Sequence, residues 1–183
     1  TNIDSTQRFA FLKYFRNAGI SAGASNLRWG FNYFRSEILK KDLREGEIQD
    51  AIDYPGECLF AKNLPDKGFL TVAEFQEYYN THGYREGAPK LAFFTGMASG
   101  PFSPDREHLD SILTAFEHVG FNVYPITAGE KRLEYLETIN PDLVVYMPHG
   151  RFMGGTSKEV EAWYTRHNIP LFAPLTINML KEV

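Results

Sequence analysis

From Lys90 onward the chain alternates short apolar runs with amphipathic phrases, and this alternation constrains the fold more than any other feature. The run 91–95 (Leu-Ala-Phe-Phe-Thr) has the length and composition of a buried strand. Residues 108–119 place Leu109, Ile112, Leu113 and Phe116 at helical spacing, and Gly120 closes the phrase. The pattern continues with a strand over 121–126, a helix over 131–139 ended by Asn140-Pro141, and a strand over 143–147. A helix over 157–167 and a strand over 170–173 complete it. A strand that reads as a continuous apolar run must be covered on both faces, and a crossover helix between strands makes neighbours parallel. The expected class is therefore α/β: a Rossmann-like or flavodoxin-like parallel sheet of about four strands with helices on both faces, over residues 89–183.

The preceding residues read differently. Ser5 is a candidate cap for a helix carrying Phe9, Leu12, Tyr14 and Phe15, ended by Gly19. Asn26 is a candidate cap for a second helix with Leu27, Phe31, Phe34, Ile38 and Leu39 on one face. Lys40, Lys41 and Arg44 follow, which suits the negative end of the helix dipole. These aromatics are expected to pack helix against helix. Between Gly46 and Gly68 the clusters Asp53-Tyr54-Pro55-Gly56 and Leu64-Pro65-Asp66-Lys67-Gly68 predict turns. Thr71 and Glu74 form a capping box that opens a helix through about Thr81, with Phe75 and Tyr78 inward. Residues 1–88 are thus read as a mainly helical segment with irregular turns, and 86–89 as a boundary.

Charge excludes one function class. Lys and Arg number 19 against 23 Asp and Glu, a net charge of −4, so no basic nucleic-acid footprint exists. No window approaches the roughly 18 consecutive apolar residues of a membrane span. The single cysteine, Cys58, excludes an internal disulfide. The chain starts at Thr1 and stops within a helix-like phrase, 178–183, so it is read as a piece of a longer protein.

In parallel sheets ligands sit beyond the carboxyl ends of the strands, at the point where strand order reverses. Two glycine-rich loops qualify: 96–103, with Gly96 and Ser99, and 148–155, with Gly154 and Gly155. Neither is a dinucleotide fingerprint or a P-loop. His149, at a strand's carboxyl end beside Arg151, can bind metal or shuttle a proton, or simply hydrogen-bond backbone. Glu57 and Cys58 together offer a carboxylate and a soft donor for a metal, although a cysteine before Leu59 and Phe60 also reads as a small buried apolar residue. His108 and His118 lack the spacing of a helical metal pair, and His82 and His167 sit near helix C-termini.

The order of these phrases resembles the large subunits of cobaltochelatase (CobN) and magnesium chelatase (H subunit). The resemblance is carried by 14–19 (Tyr-Phe-Arg-Asn-Ala-Gly) with Asn26-Leu27 and Tyr33-Phe34, and by Pro55-Gly56 with 75–79 (Phe-Gln-Glu-Tyr-Tyr). It continues through 108–126, which holds the phrase Phe116-Glu117-His118-Val119-Gly120-Phe121-Asn122-Val123, then Pro141-Asp142, 150–155 and 169–175. It covers nearly the whole chain collinearly. Glu57-Cys58-Leu59 replaces the family's Tyr-His-Pro, and Pro148-His149 stands where small hydroxyl residues are usual. The resemblance implies a tetrapyrrole (porphyrin or corrin) ligand and a divalent metal: cobalt or magnesium for insertion, as in cobalamin biosynthesis, or iron if a haem-uptake branch removes it. It implies an insertion ligase in which ATP acts only through AAA+ partner subunits, the remainder of the large subunit as the other partner, and a cytoplasmic setting, or a periplasmic or membrane-associated one for haem uptake. His149 and Glu57 become candidate catalytic residues, Arg151 a partner for a ring propionate, and His149 with Cys58 candidate metal ligands. A non-catalytic tetrapyrrole or small-ligand scaffold is the competing reading.

Overall fold

The first three strands of the second half are apolar on both sides, and the structure shows why; the last strand, Leu171–Phe172, is exposed. The computed structural model describes residues 3–16, 23–43, 46–96, 100–147 and 157–174. Strand β3 (Lys90–Phe94) lies between β4 (Asn122–Thr127) and β5 (Leu143–Tyr146), parallel to both, and β5 pairs in parallel with β6 (Leu171–Phe172). Leu91 and Phe93 point to one face, where helix α4 (Glu107–His118) supplies Leu109 and Leu113. Ala92 and Phe94 point to the other, against Tyr135, Leu136 and Ile139 of α5 (Arg132–Ile139) and Val160 and Trp163 of α6 (Ser157–His167). The two-residue period of a strand thus feeds two cores at once. The expected α/β class, with helices on both faces, is what the chain adopts.

The strand count differs from expectation. The sheet has six strands in the order β2-β1-β4-β3-β5-β6 and is mixed rather than all parallel. The two additional strands, β1 (Cys58–Phe60) and β2 (Gly68–Phe69), come from the stretch whose turn residues predicted irregular chain. Both are too short to give a period, yet Cys58, Leu59 and Phe60 are fully buried. β1 runs antiparallel to β4 with Leu59 opposite Ile126, and antiparallel to β2 with Leu59 opposite Phe69. Helix α3 (Val72–His82) opens on the expected capping box of Thr71 and Glu74 and packs Phe75 and Tyr79 into the larger core. Asn122, fully buried, binds the linker before β3: it accepts from Arg85 N–H at 2.9 Å and donates to the Arg85 and Ala88 carbonyls.

The amino-terminal helices are α1 (Ser5–Lys13) and α2 (Ala24–Tyr33), the latter running into a π-helical turn at Phe34–Ile38. Asp4, not Ser5, caps α1, through a capping box with Gln7. Asn26 does not cap α2. It lies inside the helix, buried, and pairs with the Ile52 backbone through two 2.8 Å hydrogen bonds. Tyr14, Phe15 and Phe34 make the expected interhelical ring contacts, with Tyr33, Phe31 and Phe11 respectively, whereas Phe9 is 72% exposed and Phe31, despite its contact with Phe15, is 62% exposed. Among the described residues no helix is long and apolar enough to cross a membrane.

Candidate functional site

The strand order locates the site. From β3 the chain moves to β4 on one side and then to β5 on the other, so the order reverses at the carboxyl ends of β3 and β5. Phe94 and Tyr146 form the last pair of that ladder. Gly96 follows one residue after Thr95, half-buried at the mouth of the reversal point. Ser99, His149, Arg151, Gly154 and Gly155 lie outside the described residues. Sequence order alone places them just after β3 and β5.

Antiparallel β1 begins at this same edge, because Cys58 pairs with Thr127 at the carboxyl end of β4. Glu57 and Cys58 therefore arrive together but diverge. The Glu57 carboxylate turns to the loop between β4 and α5, where one oxygen, Oε1, accepts from the N–H groups of Gly129, Glu130 (2.5 Å) and Lys131 (3.4 Å). These are donors of the turn that leads into α5, whose own N-cap residue, Lys131, makes no side-chain cap. An anion from a distant element thus pins that turn, and the helix dipole favours its charge there. Among the described residues Oε2 accepts no hydrogen bond.

Cys58 turns the other way, into a small cluster with Tyr54 and Phe102. It is wholly inaccessible, and burial pushes its thiol up to about 12. Gly68 permits this packing: a Cβ there would lie 2.8 Å from the Cys58 Sγ and 2.7 Å from Pro55. Cys58 thus occupies the place of a small apolar residue. At a pKa of about 12 the thiolate fraction near pH 8 is on the order of 10⁻⁴. Alkylation by a neutral reagent is expected to be slow in the native chain and fast in denaturant. Native labelling within about tenfold of the unfolded rate would contradict this packing.

Cys58 also contributes to the pH dependence of stability. Burial raises Cys58 from 9.0 and Tyr135 from 10.0, each to about 12. Below about pH 8 both groups are protonated whether the chain is folded or not, so their contribution is fully present. Above it the unfolded chain releases its protons first, so stability falls between about pH 9 and pH 12. Urea melts that stay constant from neutrality to about pH 11 would contradict this.

The two loops bordering the edge are anchored by groups that a local reading of sequence misses. Phe102, in the loop after β3, stacks on Tyr54 at 4.5 Å, and the Tyr54 hydroxyl donates to Asp66 at 2.5 Å. Asp66 also accepts from Ser25 of α2 at 2.6 Å, linking the helical arm to the edge. Arg106, only 6% exposed, ends the same loop. Its guanidinium donates to the carbonyls of Pro101 (2.7 Å) and Ala61 (2.9 Å) and to the Asp110 carboxylate (2.7 Å). Arg132, at the first position of α5, is equally buried and lies over the rings of Tyr146 and Phe94, 5.2 and 5.9 Å from their centroids. Both arginines stand at helix N-termini, where the dipole disfavours a cation, and that anomaly is the signal in sequence that could have found them.

The histidines described are placed as their positions suggest. His82 and His167, each closing a helix, pair through Nδ1 with the carbonyls of Tyr78 (2.8 Å) and Trp163 (2.9 Å) and stack on those rings. His108 and His118 are exposed on α4. Among the described residues no three His, Cys, Asp or Glu side chains converge in a way that could hold a metal ion. The edge instead presents a carboxylate anchoring backbone, a buried guanidinium over two aromatic rings, and the roots of two glycine-rich loops.

Among known proteins, the family model described as CobN/Magnesium Chelatase matches residues 12–182, nearly the whole chain. No curated protein matches the chain.

Proposed function

The chain belongs to the CobN/magnesium chelatase family, and from that premise we propose that it is part of a chelatase large subunit and holds a tetrapyrrole at the carboxyl edge of β3 and β5. The family match carries the reading. The reversal of strand order at that edge supports the location. The metal is a substrate here, a divalent ion of cobalt, magnesium or iron. ATP is used by AAA+ partner subunits, in the cytoplasm.

Insertion of a metal requires that the ring be held and distorted, that a base take its two pyrrole N–H protons, and that the ion shed water. His149, following β5, is the residue assigned to the base, and Arg151 to a ring propionate. Glu57 has a second role open to it. Its Oε1 holds the loop at 129–131, leaving Oε2 to meet an incoming cation. Cys58, buried and protonated, serves packing in this scheme.

Absorbance titration of the chain with protoporphyrin, haem and a hydrogenobyrinate-type corrinoid tests the reading. A saturable shift of the Soret or corrin band with at least one ring is expected, and His149→Ala should weaken it. If no ring binds, the chain is a scaffold whose subunit binds the tetrapyrrole elsewhere, and the proposal falls.

A further inference from the structure

Two arginines of this chain are equally buried, and they differ in how many of their donors are used. Arg106 and Arg132 are each 6% exposed. Arg106 spends its donors on three main-chain carbonyls and the Asp110 carboxylate, leaving only Nε unpaired. Among the described residues Arg132 makes a single hydrogen bond, from Nη2 to the Ala128 carbonyl at 3.2 Å. Its Nε and Nη1, which carry three of its five N–H donors, are buried with no partner.

The charge is likewise unmatched. None of the ion pairs among the described residues involves Arg132. Asp105 is the one carboxylate in the loops that follow β3 and β5, residues 95–106 and 147–156, and it is exposed and takes part in none of those ion pairs. Glu57, the carboxylate held beside the start of α5, is committed to backbone N–H groups. Aromatic faces beneath a cation give part of the missing stabilisation, but they accept no hydrogen bond in the guanidinium plane. A buried cation with three open donors is the arrangement that an incoming anion completes.

Its position is that of a ligand group. The guanidinium covers Phe94 and Tyr146, the final rung of β3 and β5, where the strand order reverses. We propose that Arg132 binds a carboxylate of the ligand seated at this edge, with Phe94 and Tyr146 as the apolar floor beneath it. This deepens the tetrapyrrole reading by naming the side chain that takes an acidic substituent of the ring, and it holds independently for any small carboxylate.

The test compares deuteroporphyrin IX with its dimethyl ester, which removes the acid and keeps the ring. Wild-type chain is expected to bind the diacid at least about tenfold more tightly than the diester. In Arg132→Met and Arg132→Gln that preference should shrink to below about twofold, with diester affinity unchanged. Circular dichroism and a thermal melt verify that both variants fold. An undiminished preference in the variants, or none in the wild type, overturns the proposal. A second arm is independent of the ring: sodium propionate, against sodium chloride at equal ionic strength, should raise the melting temperature of the wild type and not of Arg132→Met. If no porphyrin binds but propionate discriminates, the carboxylate site stands and the tetrapyrrole reading falls. If neither discriminates, Arg132 is not an acid-binding residue.

Discussion

Arg106→Met is expected to lower the unfolding free energy by about 3 kcal/mol, whereas Arg132→Met, an identical change at equal burial, should leave it unchanged or raise it. The difference lies in what each substitution abandons. Removing the Arg106 guanidinium leaves the Pro101 and Ala61 carbonyls and the Asp110 carboxylate without their donor. Buried acceptors without partners carry their full desolvation penalty, about 1–3 kcal/mol each when no water reaches them. Asp110 keeps partial access to water, its side chain being 29% exposed, which moderates the loss. Removing the Arg132 guanidinium abandons one 3.2 Å bond and relieves a cation that has no counter-charge. For a chain of this size 3 kcal/mol corresponds to a fall of about 6–12 °C in melting temperature. Thermal melts of the two variants side by side settle the matter. Equal losses at the two positions would mean that Arg132 has a partner as good as that of Arg106.

Glu57→Ala is expected to cost about 2 kcal/mol and to loosen residues 129–131. Three N–H groups of the turn before α5 converge on one carboxylate oxygen there. Glu57→Gln keeps an oxygen in place and should cost about half as much. The pair separates anchoring from chemistry. If Glu57 only anchors, the Gln variant retains ring binding and metal insertion by the assembled subunits in proportion to its stability. If its second oxygen also handles the metal, insertion collapses in the Gln variant while the melt hardly moves. Hydrogen exchange at the Gly129 and Glu130 amides supplies the structural readout, with faster exchange expected in the Ala variant than in the Gln variant. Unchanged protection in Glu57→Ala would refute the anchoring role.

Much of the site was invisible in sequence because its groups act across long separations. Glu57 and the loop at 129–131 are brought together only by the antiparallel pairing of β1 with β4, which sets Cys58 opposite Thr127. Asp66 joins Ser25 to Tyr54 through side chains alone, and no spacing in the chain announces it. Asn26 had the residue type and place of a cap, but a better use of its amide existed in the Ile52 backbone. Propensity yields when a buried backbone pair needs both a donor and an acceptor. The capping box at Thr71 was legible because both of its hydrogen bonds are local. The roles of His149 and Arg151 rest on family resemblance and on the experiments above.

What the sequence determined by itself was the alternation of strands and helices after Lys90 and the burial of β3, β4 and β5 on both faces. These follow from periodicity, which a chain of 183 residues carries in every local window. Tertiary structure alone decided that Cys58–Phe60 and Gly68–Phe69 extend the same sheet to six strands. It also decided that one buried arginine has all but its Nε paired and that the other has two of its three nitrogens unpaired. The physical reason is the same in both cases. A three-residue strand has too few residues to show a period, and a guanidinium has no preference for its partner until the fold supplies or withholds one. The alternation first read along the chain thus describes a framework, and its carboxyl edge is completed by an antiparallel strand and a waiting cation.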